Sequence, residues 1–210
     1  MSPVSQAPHD DLDRIDGDDQ NGLMHRRWYY IIAAILLADV IGLAVWLNWR
    51  RDHRYDRQIK EAAVRYDVDP ALVKAVVWQE SRFQAEARGG AGEIGLMQIR
   101  DLASQEWAAA EKIPNFTHEH ITDPGSNLLA GTWYLGKMLK RYRDTDDPVP
   151  FALADYNAGR TKVLDWLKGP GKTNSQVFLK NMDYPGTKKY IDLIVGQRQK
   201  FRRDFPRVVY

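Results

Sequence analysis

The feature that most limits how this chain can fold is an unbroken apolar run near its start. It reads Trp28-Tyr29-Tyr30-Ile31-Ile32-Ala33-Ala34-Ile35-Leu36-Leu37-Ala38-Asp39-Val40-Ile41-Gly42-Leu43-Ala44-Val45-Trp46-Leu47. About 20 residues wound as a helix are the length that crosses the hydrocarbon core of a bilayer. The run is apolar on every face, which argues against the amphipathic core helix of a soluble protein. Aromatic residues stand at both ends, with Trp49 just beyond, as suits the two membrane interfaces. Asp39 near the middle is dissonant, but its cost of roughly 3 kcal/mol is below what the surrounding Ile, Leu and Val supply. A cleaved signal peptide fits less well, because the run is too long and no small-residue cleavage site comes after it. The expectation is an uncleaved transmembrane anchor over residues 28–47. Arg26 and Arg27 precede it, whereas Arg50, Arg51, Arg54 and Arg57 come after, so charge counting alone would leave the C-terminal part in the cytoplasm.

Residues 1–24 combine Asp, Ser, Pro, Gln and Gly with few large apolar side chains, and such a stretch cannot bury enough surface to offset its ordering entropy. They are expected to form a disordered acidic tail, with residues 48–57 as a juxtamembrane linker and 55–210 as a globular domain. A chain of 210 residues, 44 % hydrophobic, has room for one such domain. From Arg50 onward there are 27 Lys and Arg against 21 Asp and Glu, a net of +6. That balance suits an anionic polymer or a membrane surface, and equally a solvated basic face with no partner. The absence of cysteine excludes disulfides, cysteine nucleophiles and thiolate metal sites.

The domain reads as all-α. A first helix is expected around Asp56 to Tyr66. Asp69-Pro70, a cap followed by proline at the first helical position, opens a second over residues 71–81. Gly89-Gly90-Ala91-Gly92 makes a loop, and a short helix is expected near Leu96 to Gln105. Asp123-Pro124-Gly125-Ser126 initiates a long helix, Asn127 to Tyr142. Another runs from Pro148 or Pro150 to Ala158, where Gly159 is suited to end it. Helices near 162–167 and 188–203 complete the set, and no alternating strand pattern is present.

Within the second helix Leu72, Val76 and Glu80 fall at i, i+4 and i+8, which places a carboxylate on an apolar stripe. Burial there would disfavour the charged form and raise the pKa, as a general acid working near neutral pH requires. The alternative is a glutamate at the edge of the stripe that reaches water.

The neighbours sharpen the choice. Val68 to Phe83, with Glu80-Ser81 inside it, is followed by Gly95-Leu96-Met97-Gln98-Ile99 and then Ala154-Asp155-Tyr156-Asn157-Ala158-Gly159. Asp123-Pro124 with Asn127, and Tyr184-Pro185-Gly186-Thr187-Lys188-Lys189-Tyr190-Ile191, complete a pattern over roughly residues 55–205. In this order the segments resemble the catalytic domain of soluble lytic transglycosylases, the glycoside hydrolase family 23 enzymes that share a lysozyme-like fold with goose-type lysozyme. The resemblance implies cleavage of the bond from N-acetylmuramic acid to N-acetylglucosamine in peptidoglycan, with formation of a 1,6-anhydro end and no cofactor or metal. It makes Glu80 the acid, and then the base that takes the proton of the muramic C6 hydroxyl. Ser81, Gly95, Met97, Gln98, Tyr156, Asn157 and Tyr190 are implied to orient the acid or to bind saccharide. Periodicity and composition alone would instead place Met97 in the core and make Tyr190 equally a structural tyrosine. Asp101 and Asp155 are expected to serve as helix caps or surface residues.

Three positions depart from the family pattern. Gly89 stands where many relatives carry serine, Arg100 where methionine is common, and Gly186 where an acidic residue is common. Thr117-His118-Glu119-His120 lacks the spacing of a helical zinc protease and is expected to be a surface loop. The basic run from Lys188 to Arg207 lacks the fold signature of a nucleic-acid binder, so none is expected as a partner. A hydrolytic goose-type lysozyme and a catalytically idle wall-binding module remain the rival readings. Since peptidoglycan lies outside the cytoplasmic membrane, the resemblance also implies an exported domain, against the charge count.

Overall fold

The computed structural model describes residues 16–206, and the chain divides into two compact units, Met1–Arg51 and Asp52–Tyr210. Helix α1 runs over Asp16–His53. It contains an 18-residue window of mean hydropathy 2.4, none of it buried, long and apolar enough to cross a membrane. The helix begins inside the stretch expected to be a tail, of which residues 1–15 lie outside the described residues. Extending a helix costs less than nucleating one. The expected linker is likewise helical through His53, and only Arg54 and Tyr55 separate α1 from the next helix.

The second unit is built around one helix. α3 (Pro70–Ser81) starts where Asp69 accepts a 2.9 Å hydrogen bond from the Ala71 N–H, and every residue from Ala71 to Val77 is buried. Apart from Lys74 that stretch is apolar on every side, because it is enclosed on every side. α2 (Asp56–Tyr66), which buries Ile59, Ala62 and Ala63, packs on one side, and α9 (Pro185–Phe201), with Tyr190, Ile191 and Ile194, on another. α5 (Pro124–Arg141) packs against α2, α4 (Asp101–Ala110) and α6 (Pro148–Ala158), and α6 reaches α9. Asp123 and Asp147 cap α5 and α6 ahead of Pro124 and Pro148.

The all-α class holds, with isolated β-bridges at Arg88/Ile94 and Ile94/Ile99 and no strand among the described residues. The expected helix near Leu96 to Gln105 starts only at Asp101. Gly95 (φ 79°) and Gln98 (φ 47°) are left-handed, and Ile94 and Ile99 exchange backbone hydrogen bonds of 3.1 and 3.0 Å, so residues 94–99 close a tight loop. α7 spans Arg160–Trp166. α8 (Ser175–Asn181) is not expected from the sequence pattern; it is short, capped by Asn174 and anchored by the buried Phe178.

Candidate active site

Glu80 occupies the last turn of α3, and the two residues after Ser81 fix the end of that turn. Arg82 (φ 52°) and Phe83 (φ 63°) are both left-handed, and the Arg82 N–H closes the helix on the Trp78 carbonyl. Each such residue costs about 1 kcal/mol or more. Burial of Phe83 against Phe201 of α9 offsets that strain. The Glu80 carboxyl thereby lines a groove of about 510 Å³, whose walls include Gln98, Arg100, Leu102, Tyr134, Tyr156 and Asn157. Its Oε1 accepts a 2.6 Å hydrogen bond from the Tyr190 hydroxyl of α9. Desolvation pushes the Glu80 carboxyl up to about 7; the Tyr190 bond works against that rise and the negative charge of Glu93 adds to it. Leu72 and Val76 are core, so the stripe read from the sequence ends where its carboxylate meets the groove.

The loop after α3 is organised by Asn127 of α5, which is fully buried. Its Oδ1 accepts from the Met97 N–H at 2.9 Å, and its Nδ2 donates to the carbonyls of Ile94 at 2.8 Å and Ile121 at 3.0 Å. A Cβ at Gly95 would collide with this amide, so the glycine answers to Asn127 and to its positive φ. Gly95 is buried. The Met97 side chain is fully buried, with its thioether against Gly131 and Thr132. Ser81 is buried as well, and its hydroxyl lies 2.8 Å from the Leu96 carbonyl and 3.1 Å from that of Val77, tying the end of α3 to the loop.

Of the eight expected site residues, Glu80, Gln98, Tyr156 and Asn157 line the groove, while Ser81, Gly95, Met97 and Tyr190 stand behind its wall. The Gln98 Nε2 donates to the carbonyls of Gly95 (2.9 Å) and Ala87 (3.1 Å), which leaves its Oε1 as the acceptor for the groove. Tyr156 donates to the Met97 carbonyl at 2.7 Å rather than to Glu80. Asn157 Oδ1 accepts from Thr187 at 2.8 Å. Thr187 and Tyr190, three apart on α9, thus hold Asn157 and Glu80 from one helix face.

Four carboxylates line the groove, and they are treated differently. Glu93 pairs with Arg100 at 2.7 Å, Glu106 with Lys137 at 2.5 Å, and Asp155 with Arg141 at 2.5 Å and the Tyr142 hydroxyl at 2.8 Å. Among the described residues no cation pairs with Glu80. Asp155 is buried, which corrects its expected role as a cap or surface residue; Asp101 is exposed in the first turn of α4, as expected.

A family described as Transglycosylase SLT domain matches residues 57–179. The chain belongs to that family. The membrane-bound lytic murein transglycosylase F of Desulfosudis oleivorans is 34 % identical over 115 residues, 53 % of this chain and 23 % of the relative. A putative soluble lytic murein transglycosylase of Haemophilus influenzae is 25 % identical over 190 residues, 88 % of this chain and 31 % of its own length. Among solved structures, the lytic transglycosylase Slt of Pseudomonas aeruginosa, as an inactive mutant, superposes with a TM-score of 0.66 at 22 % identity over 72 % of this chain and 24 % of that one. The 70 kDa soluble lytic transglycosylase of Escherichia coli gives 0.64 at 23 %, again over 72 % and 24 %. These likenesses show the lysozyme-like fold. The chain spans a quarter to a third of the length of the curated relatives it matches.

The SLT domain also places the remaining motifs. His118 lies in a 3-10 turn (His118–Thr122), where its ring nitrogens meet Ser104 Oγ at 2.9 Å and the Gly92 carbonyl at 3.0 Å. His120 completes a capping box with Thr117. Both are structural. His53, Asp56 and Asp204 converge like metal ligands, but the Lys74 ammonium sits among them, 2.6 Å from Asp56 and 2.7 Å from Asp204. Trp107 and Trp166 are core. Glu93, Glu106, Tyr134 and Leu102 line the groove without having stood out in the sequence. Only Glu93 left a signal, as a charge inside an otherwise small and apolar loop.

Proposed function

We propose that the chain is a membrane-anchored peptidoglycan lytic transglycosylase with Glu80 as general acid and then base. The observation that carries this reading is the Glu80 carboxyl, pushed up to about 7 and without a cation among the described residues, in a groove whose other carboxylates are ion-paired. The Glu80 proton passes to the glycosidic oxygen as its bond to muramic C1 breaks. The C6 hydroxyl oxygen bonds to C1 and its proton returns to the Glu80 carboxylate, so no water is consumed. One titrating carboxyl suffices for both transfers. A hydrolase would need a second carboxylate as base or nucleophile, and Glu93, Glu106 and Asp155 are each held by a cation. Tyr190 orients the acid from behind. The Gln98 carbonyl oxygen and the Asn157 NH₂ group suit the N–H and C=O of an acetamido group.

The anchor is α1, and the relatives named membrane-bound and murein-directed support placing the SLT domain outside the cytoplasmic membrane. The arginines after the span are outvoted by where the substrate lies, since the charge rule is a bias. Mass spectrometry of digested glycan strands tests the chemistry. Anhydro ends support the proposal, whereas reducing ends heavier by one water point to a goose-type hydrolase, and no soluble product to an idle binding module. Protection of residues 55–210 from protease in intact spheroplasts would overturn the topology.

A further inference from the structure

We infer that the Glu93–Arg100 ion pair is a positioning element of the active site, which occupies the space a side chain at position 89 would take and contributes to the electrostatic field at Glu80. The inference rests on the proposed role of Glu80 as acid. Two of the departures from the family pattern, Gly89 and Arg100, become one feature through Glu93. Gly89 has no positive φ, so its backbone would accept any residue. What excludes a side chain is the Glu93 carboxylate, with which a Cβ at 89 would collide; the same Cβ would come within 3.0 Å of Gln98 Oε1.

The carboxylate is firmly held. Glu93 Oε1 accepts from Arg100 Nε at 2.8 Å and its second guanidinium nitrogen at 2.7 Å, and Oε2 accepts from the Ala91 N–H at 2.9 Å. The Gly89 N–H donates to the Glu93 carbonyl at 2.8 Å, closing the loop around it. Partial desolvation pushes the Glu93 carboxyl up, but its own backbone N–H, Arg100 and the Ala91 N–H outweigh this and hold it below the usual range. It is therefore an anion wherever Glu80 titrates, in the same groove. A fixed negative charge makes a neighbouring acid retain its proton, and Arg100, at the N-cap of α4, opposes that effect. The other groups that bear on Glu80 are Tyr190 of α9, Tyr156 and the Arg141-paired Asp155 of α6, Tyr134 of α5 and the Lys137-paired Glu106 of α4. Substitutions at positions 89, 93 and 100 leave all of these in place.

Titration of the Glu80 carboxyl by ¹³C NMR in the full chain in detergent micelles tests this without substrate. Glu93→Gln should lower the midpoint and Arg100→Met should raise it, each by a few tenths to about one pH unit. The basic limb of the pH–rate profile should move the same way. Gly89→Ser alone should lower the Tm, and Gly89→Ser with Glu93→Ala should restore it while keeping the lowered midpoint. Midpoints that stay put, or move in the same direction in Glu93→Gln and Arg100→Met, would overturn the inference. A wild-type chain that releases no muropeptide would instead remove the proposed function, and the NMR titration would still decide this one.

Discussion

Lys74 and Glu80 lie on the same helix, and α3 buries the first fully and the second in part, yet the protein treats the two charges in opposite ways. The Lys74 side chain is fully buried and meets Asp56, Asp204 and His53, with the rings of Phe201 and Phe205 at 5.0 and 5.6 Å. Glu80 meets one phenol and no cation among the described residues. At the Lys74 end, the Asp56 and Asp204 carboxylates neutralise the buried ion, and with His53 they join the end of α1, the start of α2 and the C-terminal segment. At the Glu80 end the compensating charge is withheld, so the cost of desolvation reappears as proton affinity. Burial by itself is therefore no mark of function in this fold. Burial without a counter-ion, beside a groove, is.

The comparison breaks most visibly at Glu80 itself. Glu80→Gln keeps an acceptor for Tyr190 but removes the proton, and should lower the release of soluble muropeptides by about 10²- to 10⁴-fold. Equal release by the variant would remove Glu80 from the mechanism. At the other end, Lys74→Met leaves Asp56 and Asp204 without their cation and should cost about 3 kcal/mol in urea denaturation, with an unchanged pH–rate profile for the folded fraction.

A third prediction joins the two ends. With Glu80 near 7 in the folded state and 4.5 as its ordinary value, the unfolded chain releases this proton at lower pH than the folded one. The folded state binds more protons between those values, so stability falls as pH rises through that window. Glu80→Gln should accordingly be more stable than the wild type at pH 8 by about 1–3 kcal/mol, and no more stable at pH 4. Equal pH dependence of Tm in the two proteins would show that Glu80 is not held protonated. The smallest effect is expected at Tyr190. Its hydrogen bond favours the ionised carboxylate, so Tyr190→Phe should move the basic limb of the activity profile upward by several tenths of a pH unit, with a modest loss of kcat.

Much of the helical frame was legible in the chain. α2, α3, α5 and α6 begin and end close to where caps, prolines and Gly159 place them, because Asp69, Asp123 and Asp147 satisfy their own helix N-termini locally. The loop over residues 82–100 was not legible. Left-handed conformations at Arg82, Phe83 and Gln98 are not ones those residue types prefer, and they persist because Phe201, Asn127 and the Ile94–Ile99 bridge impose them. For the same reason the motif residues divided unexpectedly. Gly95, Met97 and Ser81 build the wall, whereas the groove also uses Glu93, Glu106 and Tyr134, which no motif named.

By itself the sequence determined an apolar helix near the start, an all-α domain after it, and a carboxylate at the end of an apolar stripe flanked by the segments of the SLT family. These come from local capping, from helical periodicity and from residue order, all of which are properties of neighbours along the chain. Only the tertiary structure decided that Tyr190 would reach Glu80 across 110 positions, that Asn127 would hold the loop, and that, among the described residues, three of four groove carboxylates would find cations while one would not. Proton affinity depends on desolvation and on charges a few ångströms away in space, and a chain brings those together only by folding.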